Sequence, residues 1–211
     1  MEQDPRSPRL RRTQRERREA TRRALLDAAV SALVELGYAG TTTAEVAHRA
    51  GVSLGALVHY FPVKTDLLTA AMDHVLRQRL DELDRILDSV PVAELSLSRL
   101  IDIAWAMFQS PAFAAWLELW VASRTDPVLR AAVVGVDSRF SAGIADRLTA
   151  VLPDTGFDLR DRVARSLVFA VCNGLAMRRV IPAPHEAEAD EVLRLLKAAL
   201  QRSFASDGGA R

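Results

Sequence analysis

The chain has 211 residues, 49% of them hydrophobic, with 28 basic and 27 acidic side chains and a formal net charge of +1. That is enough apolar material to bury a substantial core in one large domain or two small ones, and no stretch approaches the roughly 18 uninterrupted apolar residues of a membrane span. The near-neutral total hides an asymmetry: residues 1–23 hold nine arginines against four acids, and a locally basic end points to a polyanionic partner.

Taken in chain order, residues 1 to about 15 are polar and carry Pro5 and Pro8, the composition of a disordered arm. No apolar segment of the kind that follows the basic start of a secretory signal is present. The single cysteine, Cys172, excludes an intrachain disulfide, and both features suit a reducing cytoplasm. Next, Leu26, Ala29, Val30, Leu33 and Leu36 recur at helical spacing, and Gly37 follows as a C-cap. Thr42 and Glu45 have the spacing of a capping box, which opens a short second helix through Ala50. Gly51 supplies a turn, Ser53 caps a third helix to about Phe61, and Pro62 is placed to start a fourth.

A long helix is expected from about residue 63 to 89, ended by Pro91, and further helices over 97–109, 112–124, 127–151, 159–180 and 186–204, punctuated by Pro111, Pro127, Pro153, Gly156, Pro182 and Pro184. No strand-like alternation appears. The chain reads as all-α: a basic arm over 1–17, a three-helix, homeodomain-like unit over 18–64, and a helical body over 65–211.

The segment Thr42–Tyr60 carries the functional signal. Two short helices meet at Ala50-Gly51-Val52-Ser53; small Ala47 permits close approach, and Val46, Val52 and Leu57 can pack beneath the bend. This is the helix-turn-helix pattern, whose second helix enters the major groove of DNA. The run from Gly37 to Lys64 resembles the signature of TetR/AcrR transcriptional regulators, and the likeness covers about residues 20–68. The resemblance implies that Ser53, Leu54, Gly55, Ala56 and His59 face bases and adjacent backbone. It further implies that Thr42, Thr43, Tyr60 and Lys64 meet phosphates. Val58 stands where the family often has a tyrosine that holds the DNA backbone. The recognition helix also has no Arg, Lys, Asn or Gln for bidentate base contacts, which shifts specificity towards thymine methyls, His59 and DNA shape. The arginine cluster is either a solvated tail or an arm on phosphates or in the minor groove; Arg22 and Arg23 are expected to be ordered and the earlier arginines mobile.

In the helical body, Phe113, Trp116, Leu117, Trp120 and Val121 share one face, and Trp105, Met107, Phe108, Phe140 and Phe169 lie on neighbouring helices. They form either a plain aromatic core or, as the family resemblance implies, the wall of an effector pocket. Such a wall suits an apolar, aromatic or cationic ligand. His74 and Asn173 are candidate polar anchors, Asn173 equally a structural amide. Residues 115–120 loosely resemble the choline-linked BetI-like subgroup, too short a match to assign a ligand. Leu167 and Val171 on the penultimate helix, with Leu193, Leu196, Leu200 and Phe204 on the last, are the expected dimer interface, and a two-fold dimer reads a roughly palindromic operator.

Glu45 and His48 match half of a di-iron motif, but the second copy it needs is absent. His185, Glu186, Glu188, Asp190 and Glu191 read as an acidic helix start. No phosphate loop, nucleophile elbow or zinc spacing occurs, so neither metal, cofactor nor catalytic residue is expected. The function read from these features is a homodimeric repressor released from operator DNA by a small molecule. The competing readings are an activator or a regulator controlled by a protein partner, and, more remotely, a helical-bundle enzyme or carrier.

Overall fold

The computed structural model describes residues 13–91, 94–151, 162–180 and 187–207, which form nine helices and no strand. They are α1 (Gln14–Gly40), α2 (Thr43–Arg49), α3 (Leu54–Tyr60), α4 (Lys64–Ser89), α5 (Leu97–Phe108), α6 (Pro111–Ser123), α7 (Pro127–Val151), α8 (Arg162–Val180) and α9 (Ala187–Asp207). Among the described residues no single helix is long and apolar enough to cross a membrane.

Several local rules decide these boundaries. Helix α1 begins inside the stretch assigned to a disordered arm. Thr13 accepts from the Glu16 amide at 3.2 Å and its own amide donates to the Glu16 carboxylate at 2.7 Å, a complete capping box. Arg15, Arg17 and Arg18 are therefore helical, and Arg15 pairs with Glu19 at 2.9 Å; residues 1–12 lie outside the described ones. At its other end α1 is broken by Gly37, whose φ of 68° is a left-handed conformation that costs glycine little. Thr42 caps α2, accepting from the Glu45 amide at 3.1 Å, but the expected return bond is replaced: the Glu45 carboxylate accepts from Arg49 at 2.6 Å. Helix α4 starts at Lys64 rather than at Pro62, with Val63 as an N-cap that supplies no side-chain bond.

Two apolar clusters form the core. In the first, α1, α2, α3 and the early part of α4 pack with Ala115 and Leu119 of α6 and Leu129, Val133 and Val136 of α7. In the second, Leu80, Leu83 and Leu87 of α4 pack with α5, α8 and α9, with Phe113 of α6 and with Ile144 of α7. Leu25, Leu26, Leu33, Leu57, Leu67 and Leu68 are fully buried in the first, each burial contributing about 1.5–3 kcal/mol. Helices α4, α6 and α7 thus run through both clusters, so the core is continuous across Lys64.

Candidate nucleic-acid interface and cavity

The turn between α2 and α3 is built from its own residues. Gly51 has φ 67°, Val52 donates its amide to Ala47 at 3.0 Å, and Ser53 caps α3 by accepting from the Ala56 amide at 3.2 Å. Leu57 and Val46 are buried beneath it, with Val52 half-buried. This fixes the outward face of α3: Leu54, Gly55, Val58 and His59 are exposed, and Ala56 and Tyr60 are half-buried. Capping uses a lone pair of each hydroxyl oxygen, so the O–H of Thr42 and of Ser53 is left to donate outward. Thr43 is half-buried beside Thr42. His59 and Tyr60 meet edge-to-face at 5.8 Å.

Charge is distributed around that face by α1 and α4. The Arg22 guanidinium lies 5.7 Å from the Phe61 ring at the end of α3, which ties one cation of α1 to the recognition end of the molecule. Arg23 is exposed on the next position. Lys64 is less free than its sequence position suggests: its ammonium donates to the Tyr38 carbonyl at 2.8 Å and sits 4.3 Å from the Tyr38 ring. Burial lowers its pKa. One of its three donors is thus committed to the end of α1. Arg49 was not singled out in the sequence. It pairs with Glu45 within α2 at 2.6 Å and joins α2 to α1 through Glu35 at 2.8 Å and Ser31 at 3.2 Å. The Glu45 bond, then the Glu35 bond, raises the pKa of Arg49, while the Arg49 bond, then that from Ser31, holds the Glu35 carboxyl below its usual value.

A cavity of about 140 Å³ lies among α4, α5, α6, α7 and α8. Six of the nine residues expected to line a pocket do line it: Phe108, Phe113, Trp116, Phe140, Phe169 and Asn173. The Phe108 ring contacts Phe113 at 5.6 Å and Phe169 at 5.5 Å, joining α5, α6 and α8. Three do not line it. His74 turns towards α1, 3.5 Å from the Asp27 carboxylate and 3.0 Å from the Gln78 amide. It stands two residues before the lining Leu76, about 200° around the helix. Trp105 is core packing. Trp120 is 57% exposed, because α6 presses Ala115 and Leu119 onto the first cluster and so turns Trp120 and Val121 outward. Three charged lining residues, Arg79, Asp137 and Arg165, were missed. A charge interrupting an apolar stripe, as Asp137 does before Phe140 and Ile144, was the available signal.

The expected dimer residues also divide. Leu193, Leu196 and Leu200 are only 4%, 7% and 7% exposed and belong to the second core cluster, so they are not free for a partner. Leu167 is exposed, Val171 half-buried against the core, and the Phe204 side chain lies outside the described residues. What faces outward on α8 is the series Val163, Leu167, Ala170, Gly174 and Met177, with Leu195 59% exposed on α9. Cys172 is fully buried, which pushes its pKa up to about 11.

Comparison with known proteins gives a consistent result. Residues 25–71 match the family model of bacterial regulatory proteins of the tetR family, and residues 97–205 match that of the BetI-type transcriptional repressor C-terminal region. An uncharacterized HTH-type transcriptional regulator of Mycobacterium tuberculosis is 33% identical over 183 residues, 84% of this chain and 92% of the relative. The HTH-type transcriptional regulator CymR of Pseudomonas putida is 34% identical over 171 residues, 80% of this chain and 83% of the relative. A crystal structure of a transcriptional regulator from Rhodococcus sp. Rha1 superposes with a TM-score of 0.67 at 24% identity, covering 86% of this chain and 96% of that one.

Proposed function

This chain belongs to the TetR family of bacterial transcriptional regulators, DNA-binding proteins rather than enzymes, and from that membership we propose a homodimeric repressor that a small molecule in the cavity releases from a palindromic operator. In this reading Leu54, Gly55, Ala56, Val58 and His59 meet base edges. The two small residues let the α3 backbone approach closely, and Leu54 and Val58 offer apolar contact to thymine methyls. Arg22, Arg23, Tyr60 and the free hydroxyl protons of Thr42, Thr43 and Ser53 hold phosphates. Lys64 first fastens α1 to α4 and offers a phosphate its remaining donors. The partner subunit docks on the outward face of α8 and on Leu195, a series spaced 4, 3, 4 and 3 residues apart along α8 and suited to helix pairing.

The observation that best supports effector release is a link between cavity and reader. Trp116 lines the cavity. Two residues on, the Glu118 carboxylate accepts from the Tyr38 amide at 2.8 Å, and the Tyr38 carbonyl accepts from Lys64 at 2.8 Å. A ligand that shifts α6 therefore pulls on the junction of α1 and α4, which carries α3. Two recognition helices set for successive major grooves, about 34 Å apart, are then displaced from register.

The test is selection of genomic fragments by the purified protein, repeated with Tyr60→Ala and with Arg22→Ala. One enriched palindrome is expected, lost with Tyr60→Ala. Arg22→Ala, removing one phosphate contact in each subunit, is expected to lower the salt slope of binding by about 2. Undiminished binding by both variants would mean that α3 is not the reading helix.

A further inference from the structure

We propose that the cavity takes a compact lipophilic cation and that Asp137 is its counter-ion. This rests on the effector role of the cavity given above and adds the charge of the occupant. Asp137, Phe140, Ile144 and Leu148 fall at spacings of 3, 4 and 4 along α7, and all four line the cavity. The stripe is apolar except at its head, where a carboxylate stands half-buried. Burial alone acts on that group and raises its pKa from 3.8; no basic neighbour pulls it back. A carboxylate taken from water without an opposite charge is costly, and a cationic ligand removes the cost on binding.

The other charged groups on the wall differ in kind. Arg79, from α4, is already paired with Glu82 at 2.6 Å. Arg165, from α8, lines the cavity without an ion pair to Asp137. Its long stem can carry the guanidinium towards water while the stem stays apolar, which the short side chain of Asp137 cannot do. Phe113, Trp116 and Phe140 present aromatic surface to the same space, and ring faces attract cations most strongly where water is excluded. Asn173 adds an amide oxygen able to accept from an ammonium N–H. A free volume of about 140 Å³ is close to that of a protein cavity that holds one benzene ring, room for one ring or a compact ammonium head.

The experiment is calorimetric titration of the intact protein with three probes of nearly equal size: benzylammonium, benzyl alcohol and benzoate. Benzylammonium is expected to bind at least tenfold more tightly than benzyl alcohol, with benzoate weakest. In Asp137→Asn the preference for the ammonium is expected to vanish while the benzyl alcohol affinity stays the same. Thermal unfolding checks that the variant is folded, and the comparison of probes on the unmodified protein needs no variant. Equal binding of ammonium and alcohol overturns the proposal. So does benzoate binding best and losing its advantage in Arg165→Gln, which would make this an anion site, and so does the failure of all three to bind. A separate titration of labelled operator isolates the function itself: if benzylammonium binds through Asp137 but never weakens operator binding, the counter-ion stands and the effector-release reading falls.

Discussion

Removing the Glu118 carboxylate should loosen the tie between cavity and DNA reader without touching either site. Its Oε2 accepts from the Tyr38 amide at 2.8 Å and lies 2.9 Å from where a Cβ on Gly37 would stand, so it fills the break at the end of α1. A hydrogen bond to a charged acceptor contributes about 1.5–3 kcal/mol. Glu118 is exposed, and water screening reduces that to about 1 kcal/mol. For a chain of this size each kcal/mol corresponds to about 2–4 °C in Tm, so Glu118→Ala should melt only a few degrees lower. In coupling, about 1 kcal/mol is roughly a fivefold factor. Operator anisotropy, measured with and without the releasing ligand, should show wild-type operator affinity in the free variant and a release factor about fivefold smaller. Glu118→Gln, whose amide oxygen still accepts from Tyr38, should lie between the two. A variant that melts lower yet keeps the full release factor would refute the reasoning and leave the bond a purely structural one.

Two further outcomes follow from burial. A Cβ added at Gly174 meets nothing within 4 Å, so Gly174→Arg should fold normally yet hold the partner's helix away; sedimentation is expected to shift from dimer to monomer and operator affinity to fall at least tenfold, and an intact dimer would displace the interface from α8. Cys172, with its pKa pushed up to about 11, is only about 0.1% thiolate at pH 8, so a thiol reagent should label it after unfolding and not before; stoichiometric labelling of the native protein would contradict its burial.

The reading helix was legible because its signals are local. The caps at Thr42 and Ser53 and the left-handed Gly51 are decided by residues within three or four positions, and each formed as read. The start of α1 was equally local, since Thr13 and Glu16 show the capping-box spacing, but the arginine-rich composition around them masked it. Glu45 failed as the second half of a box because Arg49, four residues on and steadied by Ser31 and Glu35 of α1, takes its carboxylate. Lys64 was likewise redirected by Tyr38, 26 residues away in sequence. Where a side chain or its partner is anchored by another helix, spacing alone does not assign it.

The helical body fails in a more instructive way. Periodicity put Phe113, Trp116 and Trp120 on one side of α6, and Leu193, Leu196 and Leu200 on one side of α9, but α6, apolar almost all round, has more than one side to bury. Close packing decides between them. Ala115 lets α6 lie directly on α1, and a helix whose small residues face a neighbour gains more contact area there than by turning a tryptophan towards it. Trp120 is the consequence, left outside by the alanine five residues before it. The same logic, applied to α8, singles out Ala170 and Gly174: they are small, outward and flanked by exposed Leu167 and Met177. The large leucines of α9 were the conspicuous candidates for a partner, but they fill the chain's own core. The inconspicuous pair on α8 leaves the shallow surface that a second helix can approach.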